Sequence, residues 1–130
     1  MIEPLAGRIK LVRGENEARY PYSNCLFIDD RVKALVDTGA GLEKLQSLRS
    51  MVPVERVYLT HYHFDHLVYT YLFKEQAEIW CNPIDAPNLM DLRQLVHTIG
   101  IGRFLGEEQI QTWLEELAAG RLKGQGLAPW

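Results

Sequence analysis

Residues 60 to 66 read Thr60-His61-Tyr62-His63-Phe64-Asp65-His66, directly after the apolar run Val57-Tyr58-Leu59. Three imidazoles and a carboxylate within six residues limit what this segment can become. The apolar run reads as a short buried strand, so the polar cluster begins where that strand leaves the sheet. His61 and His63 are two apart, and in extended backbone that spacing turns both rings to the same side, able to grip one cation. Neutral imidazole is a ligand for zinc, iron, manganese or nickel. Asp65 and His66 are adjacent, and a turn there points both at a second ion. A carboxylate oxygen beside imidazole suits an ion that must also hold water, whose pKa a bound metal lowers to roughly 7. The cluster therefore reads as a metal site, the chemistry-bearing feature of the chain.

The flanking sequence supplies a sheet for that strand. Arg8 to Arg13 alternates polar and apolar residues with the period of a half-buried strand. Asn24-Cys25-Leu26-Phe27-Ile28-Asp29 is a more continuous apolar run. Asp29-Asp30-Arg31 forms a turn, and Val32 to Asp37 continues as a second strand, so the two read as a hairpin. Thr38-Gly39-Ala40-Gly41 breaks the pattern. A helix follows, with Leu42, Leu45, Leu48 and Val52 on one face and Pro53 ending it. Leu67 to Phe73 fits either a strand, by its β-branched and aromatic content, or a helix, by its position after a ligand loop. Glu78 to Cys81 reads as one more strand. A helix over residues 87–99 carries Leu89, Leu92, Leu95, Val96 and Ile99 on one face, with Pro87 in its first turn. A last helix from Glu107 carries Ile110, Trp113, Leu114, Leu117 and Ala118, with Gly120 as its stop. The expected organisation is one truncated domain over residues 1–130. Residues 1–84 form a sheet-rich half, 85–120 a helical segment and 121–130 a tail.

The composition excludes several classes of function. The 130 residues suffice for one domain with a real core; 47% are hydrophobic and 24% charged. The net charge is −3 and no basic run occurs, so nucleic acid is not an expected partner. No apolar stretch is long enough to span a bilayer, and the first residues lack the pattern of a secretion signal. A cytoplasmic location is expected. Cys25 and Cys81, in separate apolar runs, read as small buried hydrophobes rather than as a disulfide or thiolate ligands.

The pattern His61-x-His63-x-Asp65-His66 after an apolar strand resembles the HxHxDH signature of the metallo-β-lactamase superfamily. Upstream, Val36-Asp37-Thr38-Gly39 resembles that family's first motif, and Asn24 to Ile28 resembles the strand before it. The resemblance covers about residues 8–84. It implies an α/β (α+β) fold, half of an αββα sandwich: a mixed β-sheet with flanking helices, followed by the C-terminal helical segment. It implies His61 and His63 as ligands of a first metal, and Asp65 and His66 as ligands of a second. Asp65 would also be the catalytic group that orients the attacking hydroxide, and Asp37 would support the ligand loop from behind. The cofactor implied is zinc, one or two ions, with iron, manganese or nickel as alternatives.

The departures from the family shape the functional expectation. The family's later metal ligands have no counterpart motif here, and His97, on the helix over 87–99, reads as an exposed helix histidine. Leu67-Val68 stands where small residues are common, which predicts a crowded pocket floor or an altered loop. Four of the usual seven ligands are present, two for each ion, whereas a stable zinc site normally has three or four protein ligands. The leading expectation is a metal-dependent hydrolase, or its N-terminal half, using metal-activated hydroxide on an ester, thioester, amide or phosphodiester of a small-molecule substrate. The alternative is a non-catalytic half-domain that binds metal or a partner. An oxidoreductase working with iron and a flavin partner ranks last. A half-sandwich leaves an apolar sheet face uncovered, so a homo-oligomer or a complementing second chain is expected.

Overall fold

The structure is a computed structural model and describes the backbone of residues 2–118 and the side chains of residues 2–116. Six strands form one sheet in chain order: β1 (Ile2–Ala6), β2 (Ile9–Val12), β3 (Cys25–Asp29), β4 (Lys33–Val36), β5 (Arg56–Leu59) and β6 (Glu78–Cys81). The first four are antiparallel neighbours, while β4–β5 and β5–β6 pair in parallel. The sheet is therefore mixed, as expected. The hairpin over residues 24–37 is β3 and β4, joined at Asp30 to Val32.

Parallel pairing requires a crossover. Helix α1 (Leu42–Met51) supplies it between β4 and β5. Leu45 and Leu48 lie three apart on the buried stripe of α1, and Pro53 follows directly after the residue that ends it, Val52. Between β5 and β6 the chain forms the single turn α2 (Phe64–Leu67) and a 3₁₀ turn at Thr70–Leu72. The ambiguous stretch 67–73 is thus helical. Its apolar residues Leu67, Val68, Leu72 and Phe73 are buried without joining the sheet.

The core lies on the helix-covered face of the sheet. Phe27, Leu35, Val57 and Ile79 are neighbours across four strands, and all but Ile79 are fully buried. They pack in one cluster with Val12, Cys25, Leu45, Leu48, Leu67, Tyr69 and Phe73. Each fully buried side chain of this size contributes about 1.5–3 kcal/mol over its exposed state. The other face presents a second row, Leu11, Leu26, Val36, Tyr58 and Trp80, which the registers place side by side across five strands. Trp80 there is half exposed.

Three expectations change. Residues 2–6 form a strand, although Pro4 and the absence of alternation hid it; β1 is an edge strand, where a missing N–H is tolerated. The helix expected over 87–99 is two helices, α3 (Ala86–Met90) and α4 (Leu92–Thr98). Asp91 separates them. Its backbone is extended, and its carboxylate accepts from the Arg93 amide as an N-cap, which restarts the helix in a new direction. Ile99, expected on the buried stripe, is 42% exposed and caps the C-terminus of α4. Cys81, expected inside, is exposed at the end of β6, whereas Cys25 is buried. Helix α5 (Glu107–Ala118) begins where expected, with Ile110 fully buried. Leu117, Ala118 (side chains), Gly120 and the tail over 121–130 lie outside the described residues.

Candidate metal centre

The apolar residues Val57 and Leu59 place this segment in the sheet as β5, between β4 and β6, and Thr60 is the first residue beyond it. There the backbone turns: the His66 amide donates to the His63 carbonyl at 3.0 Å, closing the turn that becomes α2. That turn folds the cluster back on itself. The ring centroids of His61 and His63 are 4.6 Å apart, and those of His61 and His66 are 4.3 Å apart. Asp65 Oδ2 lies 3.7 Å from His66 Nε2. The four residues picked out as ligands thus line one rim of the sheet, at the C-terminal end of β5.

Asp37 is the pivot behind them. It follows β4, the parallel neighbour of β5, so its carboxylate arrives beside Thr60. Its backbone takes φ = 62°, a left-handed conformation that Asp tolerates better than most residues. Asp37 as a whole is 5% exposed. Oδ1 accepts from the Thr60 amide at 2.8 Å. Oδ2 lies 2.8 Å from His66 Nδ1. The Thr60 hydroxyl lies 3.0 Å from Oδ1 and 2.8 Å from Oδ2, and 2.8 Å from His61 Nδ1 on its other side. Asp37, His61 and His66 each bring a ligand-type atom within 4.8 Å of the others.

The ligand loop is clamped from outside as well. Ser23 Oγ donates to the Asp65 carbonyl at 2.8 Å, and the Thr38 amide donates to the His66 carbonyl at 2.7 Å. Thr70 Oγ1 donates to the Leu67 carbonyl and lies 2.8 Å from Thr38 Oγ1. Gly39 sits against this loop so closely that a Cβ would stand 1.7 Å from the Asp65 carbonyl oxygen and 2.2 Å from Ser23 Oγ. The Thr-Gly pair after Asp37 is therefore a steric requirement of the ligand loop. Sequence reasoning passed over Ser23, Thr60 and Thr70. Thr60 alone carried a signal, being the hydroxyl next to the first histidine.

Electrostatics at the rim favour the unprotonated form of His61. Partial burial pushes the His61 pKa down, and the neighbouring His66 and His63 rings push it further in the same direction. The neutral imidazole is the form that binds a cation. Leu67 and Val68 are both 2% exposed and belong to the core. His97 is exposed on α4, as expected, with its Nε2 3.7 Å from Glu107.

The model of the metallo-beta-lactamase superfamily matches residues 19–127, well over half of the chain. The chain belongs to this superfamily. Among solved structures, the crystal structure of the flavodiiron protein from Giardia intestinalis is similar, with a TM-score of 0.51 and 17% sequence identity. The match covers 67% of this chain and 26% of that one, so the chain spans about a quarter of that protein's length. At this identity the likeness shows the fold: the six-stranded mixed sheet and its helices are a partial metallo-beta-lactamase fold. No curated protein matches the chain. Among the described residues, no helix is long and apolar enough to cross a membrane.

The residues present fit a cation of the kind this superfamily binds. Nitrogen donors from His61, His63 and His66 and an oxygen donor from Asp65 face one rim, and the donor set suits zinc or another first-row ion. Asp37 is less free to join them, because the Thr60 amide, the Thr60 hydroxyl and His66 Nδ1 bring three protons to its two oxygens, leaving about one of four lone pairs.

Proposed function

We propose that the chain is the ligand-bearing half of a metal-dependent hydrolase. The observation that carries this reading is the convergence of His61, His63, Asp65 and His66 on one sheet rim, with Asp37 buried behind them and bonded to His66. His61 and His63 would hold one ion, and Asp65 and His66 a second. A bound cation supplies Lewis acidity and a water of lowered pKa, the means to open an ester, thioester, amide or phosphodiester. Asp65 would be the carboxylate that orients that water and takes up a proton. Asp37 holds the loop and the His66 ring in place. Zinc is the first candidate; the similarity to a flavodiiron protein adds iron to the ions worth testing.

The test is metal content per chain, by elemental analysis of protein purified without added metal or a histidine tag. About one ion or more per chain, lost in the His61→Ala, His63→Ala double variant, is the expected result. Protein that carries no metal and does not take up excess zinc would overturn the reading.

A second reading is favoured by one observation, the apolar row Leu11, Leu26, Val36, Tyr58 and Trp80 on the sheet face opposite the core, partly exposed and half exposed at Trp80. In it the chain is a half-domain that binds metal or a partner without turnover, that face covered by a second copy or a complementing chain. Association in sedimentation velocity, reduced by Val36→Lys, supports that partner; a monomer across the micromolar range counts against it.

A further inference from the structure

Thr60 stands between two groups that both need its hydroxyl. Oγ1 lies 2.8 Å from Asp37 Oδ2, 3.0 Å from Asp37 Oδ1 and 2.8 Å from His61 Nδ1. A hydroxyl owns one proton, and a carboxylate owns none. The Thr60 proton therefore goes to Asp37. The oxygen that remains can only accept, so His61 must present Nδ1–H to it. His66 obeys the same count directly: its Nδ1 faces Asp37 Oδ2 at 2.8 Å and must donate. In both rings the free lone pair is then on Nε2. One buried carboxylate selects the tautomer of two imidazoles, His66 by contact and His61 through the Thr60 hydroxyl.

We propose that Thr60 is a positioning residue that fixes His61 in the Nδ1–H tautomer and so directs Nε2 of that ring to the ion. This rests on the metal-binding reading for its purpose but not for its geometry, since the hydrogen-bond chain stands in the protein by itself. The arrangement is directional. The chain Asp37–Thr60–His61 works only with the Thr60 proton pointing to Asp37, and the Thr60 amide, which donates to Oδ1 at 2.8 Å, fixes the carboxylate for it. The ring contacts of His63 with His61 and Tyr62 select no tautomer in this way.

The experiment is ¹⁵N–¹H correlation of the histidine rings in metal-free protein, at a pH where the imidazoles are neutral, combined with titration by cobalt(II). In the unmodified chain His61 and His66 are expected as Nδ1–H tautomers. Thr60→Val removes the hydroxyl at nearly constant shape. It should shift His61 toward a mixture with the Nε2–H form while His66 keeps its tautomer. Thr60→Ser should restore the His61 pattern. Cobalt(II) affinity is expected to fall about 10–100-fold in Thr60→Val and to recover in Thr60→Ser. An Nε2–H tautomer at His61 in the unmodified protein overturns the proposal, and needs no variant to do so. So does a Thr60→Val protein with an unchanged His61 spectrum and cobalt affinity within twofold. If the unmodified chain takes up no cobalt, the metal-binding reading fails instead, and the ring spectra still decide what Thr60 does.

Discussion

Oδ2 of Asp37 lies 2.8 Å from Nδ1 of His66, joining two residues 29 positions apart in the chain. This contact converts the parallel pairing of β4 and β5 into an orientation for the ligand loop. The two strands end side by side, so the residue after one reaches the loop after the other. A change at Asp37 should therefore be felt as metal affinity before it is felt as loss of fold.

Asp37→Asn tests this. Asn also tolerates the left-handed backbone at φ = 62°, so the turn should survive. Its amide nitrogen cannot accept from His66 or Thr60 as a carboxylate oxygen does. The expected outcome is zinc affinity reduced about 10–100-fold with an unchanged far-ultraviolet dichroism spectrum. Equal affinity by titration calorimetry would show that the orientation of His66 does not depend on Asp37.

Much of this arrangement was legible in the residues. The alternation of Arg8 to Arg13 and the apolar runs at residues 24–29 and 57–59 became strands because each carries a period-two or continuous apolar pattern. The cluster after Leu59 fell on the rim because a strand must end before polar ligands can reach solvent. What escaped has physical reasons too. The edge strand Ile2–Ala6 has no buried face to impose a pattern. The break at Asp91 leaves the apolar stripe in phase on both sides, so periodicity runs through it. Ser23 and Thr70 hold the ligand loop from 42 and 32 positions away from Asp65 and Thr38, and isolated hydroxyls give no local sign of such a bond.

The two cysteines should separate by reactivity. Burial raises the Cys25 thiol pKa to about 12, and at 1% exposure the sulfur is closed to reagents. Cys81 is exposed, though partial burial and then Asp85 raise its pKa as well. A disulfide reagent should therefore titrate one thiol per chain in the native protein, faster as pH rises, and both thiols in denaturant. Two native thiols would mean that the sheet opens around β3.

Asp29 gives the fold an acid limit. Its carboxylate bonds Lys10 at 2.7 Å and Lys33 at 2.6 Å, and these two hydrogen bonds lower its pKa to about 2 from 3.8. A depressed carboxylate stabilises the folded state above its unfolded pKa, and the contribution is lost as pH falls through the folded value. Stability should decline between about pH 4 and pH 2. Asp29→Asn should remove part of that slope in denaturation curves taken across the window, leaving the neutral-pH metal content unchanged. An identical slope in the variant would assign the acid limit to other carboxylates.

Gly39 offers the most direct test of how fold and site are joined. A Cβ there would meet the Asp65 carbonyl oxygen at 1.7 Å, and this neighbour is backbone, so it cannot rotate away. Gly39→Ala must push the ligand loop outward or break the Ser23 bond to the same carbonyl at 2.8 Å. Overpacking of this kind typically costs about 1–3 kcal/mol. Because the displaced atom belongs to a ligand residue, metal affinity should fall together with stability. Ser23→Ala serves as the comparison: it removes the hydrogen bond without a clash, and should cost about 1 kcal/mol with a smaller loss of affinity. A Gly39→Ala protein with unchanged denaturation midpoint and metal content would show that the loop has room to move, and that the close approach of Gly39 to Asp65 is not what holds the ligands in register.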